Sequence, residues 1–400
     1  MKAGTDAIVV GAGPAGLMAA ETMALAGRRV VVHDASPSPA RKFLLAGRGG
    51  LNLTHSEPLE TFLERYGPTA DRLLPAIHAF PPDKLRGWAA EFGEETFIGS
   101  SGRVFPKSFK ATPLLRAWLR RLGELGVAFV PRSRFLGFDD TGALRFMGPS
   151  GETSVQATSA VFALGGASWP RLGSDGGWVE AFRAGGIAVA PLRPANCGFL
   201  VDWSPRIRET FAGAPLKTIA LSHAGMRVRG EAMVTSAGLE GGAIYALSAS
   251  LREAIATHGS ATINIDFKPD LSEAALAARL KRKPGQSLST LLRKGAGLAP
   301  AAVAILREGG PLPEGDALAS QVKTCALRLV GTASIARAIS TAGGVSWSEI
   351  DEDFMLKKRP GVFVAGEMID WEAPTGGYLL QAAFATGAAA GRAAARWASQ

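Results

Sequence analysis

Cysteine is almost missing from this chain: Cys197 and Cys325 are the only two in 400 residues. So few thiols argue against a disulfide framework, a CxxC redox pair or a thiolate metal site, and fit a reducing cytoplasm. Histidine is equally sparse. His33, His55, His78, His223 and His258 show no HxxH or HExxH spacing, so no metal centre is expected. Long apolar runs are absent as well. The least polar stretch, Leu379 to Ala398, is broken by Gln381, Arg392 and Arg396 and reads as a packed helix, with no membrane contact expected. No secretory leader is expected either, because a strand-like run begins by Ala7. Charged residues make up 20% and hydrophobic ones 47%, which excludes wholesale disorder and leaves room for two or three domains.

Acid is in short supply, and the net charge is +9. The excess is local. Arg103 to Arg134 holds eight basic residues against Glu124 alone, and Arg279 to Lys294 holds six and no acid. Solvated helix faces account for such stretches; a surface that meets RNA is the sharper reading.

Glycine is abundant and patterned. The apolar run Ala7-Ile8-Val9-Val10 leads into Gly11-Ala12-Gly13-Pro14-Ala15-Gly16. A helical stretch to Gly27 follows, and then Val30-Val31-Val32 ending at Asp34. This strand, glycine turn, helix, strand and acid order is that of a dinucleotide-binding unit. Gly11 allows the tight turn, Gly13 lets the backbone approach a pyrophosphate, and Gly16 lets helix and strand pack. The helix start points free N–H groups at the phosphates, and Asp34 accepts from the adenosine ribose.

Arg41 to His55 reads as too glycine-rich for a helix. Residues 57–97 read as helical, with a break at Pro81-Pro82, and Gly102 to Pro106 as a short strand or turn. Pro113 opens an amphipathic helix with Leu114, Leu115, Trp118, Leu119, Leu122 and Leu125 on one face and Arg116, Arg120 and Arg121 on the other. Val127 to Val130, a meander through Phe135, Phe138, Leu144 and Phe146, and Val161 to Gly166 read as strands. The expected organisation is a discontinuous, Rossmann-like α/β cofactor domain, residues 1–194 and 341–400. It is interrupted by a β-rich insert, 195–270, and a helical insert, 271–340. The inserted block is expected to form a substrate-facing lid.

The late segment Val362 to Glu367 is a strand ending in glycine and acid. Thr375-Gly376-Gly377-Tyr378 then opens the Ala-rich helix. A glycine pair at a helix start presents bare N–H groups suited to negative charge, such as the N1–C2=O2 locus of a reduced flavin. Together with the first motif this favours FAD over NAD.

Six motifs recur together and in order: Gly11–Gly16, Gly47–Thr54, Gly102–Pro106, Ala163–Pro170, Thr341–Val345, and Ala365–Glu367 with Thr375–Tyr378 and Gln381. The set resembles the BaiN-like (YhiN-like, aminoacetone-oxidase-like) flavoproteins along essentially the whole chain. The resemblance implies a discontinuous FAD domain with a β-barrel-like and a helical insert. The family's activities include amine oxidation, reduction of steroid-type enones and reduction of uridine in ribosomal RNA. Two departures mark a divergent subgroup. Leu51 replaces the family's usual Cys in Gly47-Arg48-Gly49-Gly50-Leu51-Asn52, and Val234 to Gly242 lacks its Ser-Gly-Pro.

The residues expected to hold FAD are Gly11, Gly13, Pro14, Ala15, Gly16 and Asp34, then Lys42, Arg48, Asn52, Leu53, Thr54 and Gly165. From the C-terminal part they are Gly366, Glu367, Asp370, Gly376, Gly377, Tyr378 and Leu379. No residue stands out as the catalytic acid or base. His55 is weighed against a helix-start role, and Trp371 and Tyr378 against plain packing, as catalytic or substrate-wall candidates. Cys197 is read as a buried structural thiol. The expected function is an FAD-dependent oxidoreductase that moves hydride through flavin N5 to or from a small organic substrate. With no second GxGxxG, NADH or NADPH remains open as a transient donor. The alternatives are a flavin-dependent RNA-modifying reductase and a flavin-binding redox sensor without turnover.

Overall fold

The computed structural model describes residues 7–47 and 49–399. Two compact units divide the chain: Met1–Arg193 with Ser340–Gln400, and Pro194–Ile339.

The first unit is built on a five-stranded parallel sheet. Its order is Val362–Val364, Ser159–Phe162, Ala7–Val10, Val30–Asp34 and Ala128–Pro131. All four residues of the central strand, Ala7–Val10, are buried. A parallel strand covered on both faces reads as a continuous apolar run, which is why this one was conspicuous. Helix Pro14–Leu25 follows, with proline in its first turn and Gly27 at φ 79° just past its end. The C-terminal helix, Tyr378–Trp397, packs along it. A side-chain carbon on Gly387 would run into the Ala15 carbonyl, and one on Gly391 would lie 2.8 Å from the Ala19 carbonyl oxygen. The small residues of this helix thus let two backbones touch. That contact sets the middle of the last helix beside the start of the first.

Two three-stranded antiparallel pieces also belong to the unit. One sheet joins Thr54–His55, Arg103–Pro106 and Thr96–Ile98; the other is the meander Arg134–Phe138, Leu144–Gly148 and Gly151–Val155. Two expectations need correction. Arg41–Ala46 is a helix, because the glycines of that stretch begin only at Gly47. On helix Ala111–Glu124, Arg116 and Arg120 face solvent, but Arg121 does not simply do so. Its Nε lies 2.9 Å from the buried Glu21 carboxylate, and its Nη1 bonds Glu91 at 2.6 Å. Glu21 also accepts from the indoles of Trp88 and Trp118, at 3.1 and 2.7 Å.

The second unit carries a seven-stranded antiparallel sheet. Its order is Cys325–Leu329, Ala261–Asp266, Pro215–His223, Met226–Val234, Gly238–Glu240, Phe199–Leu200 and Gly331–Thr332. The two end strands are separated in sequence by Val330 alone, so the sheet curls back on itself. The β-rich and helical blocks expected as separate inserts, 195–270 and 271–340, are one unit. Strand Cys325–Leu329 of the later block pairs with Ala261–Asp266 of the earlier one, and Ile263, Leu276, Leu291, Ile305 and Leu318 share one core. The earlier block also contains helices Gly242–Ala246 and Ser248–His258. Among the described residues no helix is long and apolar enough to cross a membrane.

Candidate functional site

The glycine turn after Ala7–Val10 is held from two sides. Gly11 has φ 103°, and a side chain there would strike the Ala163 carbonyl. A side-chain carbon on Gly16 would strike the Gly11 carbonyl, whereas one on Gly13 would meet nothing within 4 Å. No side chain caps the helix that starts at Pro14. Open space therefore fronts an uncapped helix start, where a pyrophosphate fits. Asp34 accepts from the N–H of Ala12 (2.6 Å) with Oδ2 and of Ser36 (2.7 Å) with Oδ1. It thus fixes the turn to the second strand. Each oxygen keeps a further lone pair for a ribose hydroxyl.

A second cluster gathers around Glu367. Gly366, at φ 76°, lies against Ala15 of the first helix, and its N–H donates to Thr386 Oγ1 at 3.0 Å. Glu367 Oε2 accepts from Lys42 Nζ at 2.8 Å and from the Gly166 N–H at 3.4 Å. Its Oε1 accepts from the Thr341 N–H at 2.9 Å. Lys42 also donates to Ser168 Oγ (2.6 Å), and the Ala167 N–H donates to Thr341 Oγ1 (2.9 Å). A carboxylate has about four lone-pair positions, so one on Oε1 stays open. Gly165 lies beside this cluster at φ 68°, its carbonyl accepting from Trp178 Nε1. Ser168 and Thr341 were not singled out from the sequence. Both sit inside the recurring motifs next to a glycine pair, and that adjacency was the available signal.

The third piece is the start of the last helix. Gly377 has φ 101°, and a side-chain carbon there would lie 2.5 Å from Thr54 Cα. No side chain caps this helix. Thr54 Oγ1 and Gln381 Oε1 are buried without a hydrogen-bond partner. Asn52 donates through its amide to the carbonyls of Thr54 (2.8 Å) and Val104 (3.2 Å), leaving Oδ1 as its free polar atom. Leu379 is half-buried in the first helical turn. Asp370 is half-buried; burial raises its carboxyl, opposed by Arg193. Arg48 lies outside the described residues.

Several candidates take other roles. Leu53 is fully buried, so only its backbone is available to a ligand. Leu51 is fully buried too, an environment that suits an aliphatic side chain. Trp371 and Tyr378 are 3% and 5% exposed, and both have their polar atoms engaged within the protein. The Trp371 indole donates to the Gly366 carbonyl at 2.9 Å, and the Tyr378 hydroxyl to Glu57 at 2.6 Å. Burial and the Glu57 carboxylate raise the Tyr378 phenol well above its usual value. His55 has both ring nitrogens engaged. Nδ1 accepts from the Glu57 N–H at 3.2 Å, so Nε2 carries the proton and donates to the Ser101 carbonyl at 2.9 Å. Both ring nitrogens are thus occupied within the protein. Cys197 and Cys325 are buried thiols outside any disulfide, the latter pushed up to about 11 by burial. Glu57 gave no signal in the sequence.

The model of the HI0933-like protein Rossmann domain matches residues 5–393. The chain belongs to this family. It is therefore a member of a Rossmann-type, BaiN-like oxidoreductase family. Among relatives of this HI0933-like protein, the ribosomal RNA dihydrouridine synthase of Escherichia coli K12 is 26% identical, covering 95% of this chain and 96% of its own length. The 3-dehydro-bile acid delta(4,6)-reductase of Clostridium scindens is 25% identical over 97% of this chain and 98% of its own length. The fold is shared with a flavocytochrome c3 fumarate reductase (TM-score 0.57, 16% identity, 100% of this chain, 79% of that one). It is also shared with a 3-ketosteroid-Δ4-(5α)-dehydrogenase from Rhodococcus jostii RHA1 (TM-score 0.52, 18% identity, 99% and 96%).

Proposed function

We propose that this chain is an FAD-dependent reductase that adds hydride and a proton across a carbon–carbon double bond conjugated to a carbonyl. One observation carries the cofactor assignment. In the first glycine motif Gly11 and Gly16 are in hard contact with protein, while Gly13 alone opens on space before an uncapped helix start. In this reading Gly13, Ala15 and Gly16 face the pyrophosphate, Asp34 the adenosine ribose and Glu367 the ribityl chain. The helix start at Gly377 faces the flavin ring. FAD, when bound, supplies the hydride through N5. Lys42, itself bonded to Ser168, and the Gly166 and Thr341 N–H groups hold the Glu367 carboxylate in place.

The substrate class is supported by the two relatives' named activities. Uridine and a 3-oxo steroid alkene share one feature: a ring double bond whose electrons are drawn toward a carbonyl. Hydride adds at the carbon far from the carbonyl, and a proton adds at the near one. NADH or NADPH is the proposed source of electrons. A small organic substrate is the first reading, because part of the basic excess is neutralised locally, as Arg121 is by Glu21 and Glu91 and Arg282 by Glu314.

RNA is the second reading, favoured by one specific observation. Residues 194–339 hold 17 Lys and Arg against 11 Asp and Glu, and Arg279, Lys281, Arg282, Lys283, Arg293 and Lys294 are all exposed. The deciding experiment is anaerobic reduction of the purified protein with NADH and NADPH. Oxygen, a 3-oxo-Δ4 steroid and unmodified ribosomal RNA are then added in turn as oxidants. Reoxidation by the enone supports the first reading, and reoxidation by RNA the second. Reoxidation by neither, in a protein that is readily reduced, contradicts the proposal.

A further inference from the structure

We propose that Glu57 is a positioning residue for flavin, acting through Tyr378 on the start of the C-terminal helix. The inference rests on the cofactor reading above. Nothing in the sequence pattern pointed to Glu57, and it lies outside the glycine motifs.

The geometry is a clamp. Tyr378 is the first residue of the 20-residue helix Tyr378–Trp397. Its hydroxyl donates to Glu57 Oε1 at 2.6 Å. The same carboxylate accepts from Arg65 Nε (3.1 Å, Oε1) and Nη2 (2.7 Å, Oε2), so it is held in one orientation. The Tyr378 ring stacks on His55 at 5.5 Å and 22°. Its carbonyl accepts from the Tyr66 hydroxyl at 2.8 Å. Gly377 presses on the Thr54 backbone. The helix start is therefore fixed by Thr54, His55, Glu57 and Tyr66, all from one short stretch of chain.

Two features make this more than packing. A phenylalanine would fill the same space, yet the chain places a hydroxyl there and bonds it to a carboxylate that Arg65 holds. Burial works to raise the Glu57 carboxyl, but Arg65 and the Tyr378 hydroxyl together hold it below its usual value, so it stays an acceptor for Tyr378. Second, two fully buried oxygens beside the helix start, Thr54 Oγ1 and Gln381 Oε1, have no partner in the protein. Buried polar atoms are rarely left unpaired, and each such group asks for a ligand or water. The favourable field of a helix start falls off within its first turn. Placement of that turn to within about 0.5 Å therefore decides how well its N–H groups meet a charge.

The test compares Tyr378→Phe, Glu57→Ala, Glu57→Gln and the Tyr378→Phe/Glu57→Ala double variant. FAD is titrated into protein stripped of its flavin, the midpoint potential is measured by dye equilibration, and melting is recorded without FAD. Tyr378→Phe and Glu57→Ala should each raise the FAD dissociation constant about tenfold, the size of one charge-assisted hydrogen bond. Each should also lower the potential, because the reduced, more negative flavin loses more. The double variant should be no worse than the worse single, since both break one bond. Glu57→Gln keeps an acceptor and should recover most of the affinity. Should Tyr378→Phe fail to fold, the Glu57→Ala and Glu57→Gln pair carries the same test. Lower melting temperatures with unchanged affinity and potential would overturn the inference, and so would additive effects. If the wild-type protein binds no FAD, the cofactor reading itself fails; if it binds FAD and the variants match it, only the role of Glu57 fails.

Discussion

The two units bury their sheets in opposite ways. The first surrounds a parallel sheet with helices and lets backbones touch at Gly11, Gly16 and Gly387. The second curls an antiparallel sheet around one core and covers it with short helices. Their charge differs as well. Residues 194–339 hold 17 basic and 11 acidic residues, and the remainder of the chain 27 and 24. Glycines such as Gly27 and Gly93 of the first unit also open on space, but Gly13 does so inside the first glycine motif, directly before an uncapped helix start. In the second, surface charge is the feature left unexplained by packing.

The sharpest way to break this comparison is a pair of glycine substitutions. Gly13→Val fills space that no protein atom uses, so the protein should fold normally by circular dichroism and purify without flavin colour. Gly238→Val strikes the Phe199 carbonyl between two paired strands of the second unit. It should cost about 3 kcal/mol of stability in a denaturant melt, the upper range for overpacking. If Gly13→Val retains its flavin, the open space is not a cofactor site.

Next in size is Glu367→Ala. It removes the carboxylate shared by Lys42, Gly166 and Thr341 and leaves Lys42 with Ser168 alone. About 1–3 kcal/mol of stability should go, since the groups left behind are partly buried. FAD affinity should fall with it, measured by flavin fluorescence. Loss of stability with full affinity would place Glu367 in the fold and not in the site.

A smaller effect is set by pH. His33 stacks on Phe146 at 4.1 Å and bonds Ser133 Oγ, and burial lowers its pKa to about 4. The unfolded chain takes up this proton near pH 6.5 and the folded one does not. Stability is therefore full above about pH 6.5 and is lost as pH falls toward 4, by up to about 3 kcal/mol. Urea melts at pH 7.0, 5.5 and 4.5 should show this slope, and His33→Asn should flatten it.

The smallest expected effect lies in the second unit. Reversing Lys281, Arg282 and Lys283 to glutamate should leave flavin content and stability nearly unchanged. If the cluster meets RNA, the same change should weaken RNA association and flatten its dependence on salt. Unchanged RNA association would assign the cluster to solvation.

Much of the first unit was legible because its signals are local. Ala7–Val10, the glycine turn and Asp34 lie within one short window, and each has a single physical use. The helix Arg41–Ala46 was hidden by glycines that follow it. The clamp on Tyr378 was hidden because Glu57 and Tyr378 are 321 residues apart. Trp371 looked as suited to a substrate wall as to a core, since an indole serves both and only burial separates them. The second unit showed its strands as short apolar runs that alternate with turns. Its pairing of Cys325–Leu329 with Ala261–Asp266 leaves no local trace, so one core looked like two inserts.

The central claim is that the first unit holds FAD. Heat release of the cofactor from purified protein, followed by chromatography, tests it most directly. FAD, close to one per chain, is the expected result. FMN alone, or no flavin from a folded and freshly purified protein, would contradict it, because the first glycine motif with Asp34 has no use without an adenosine half.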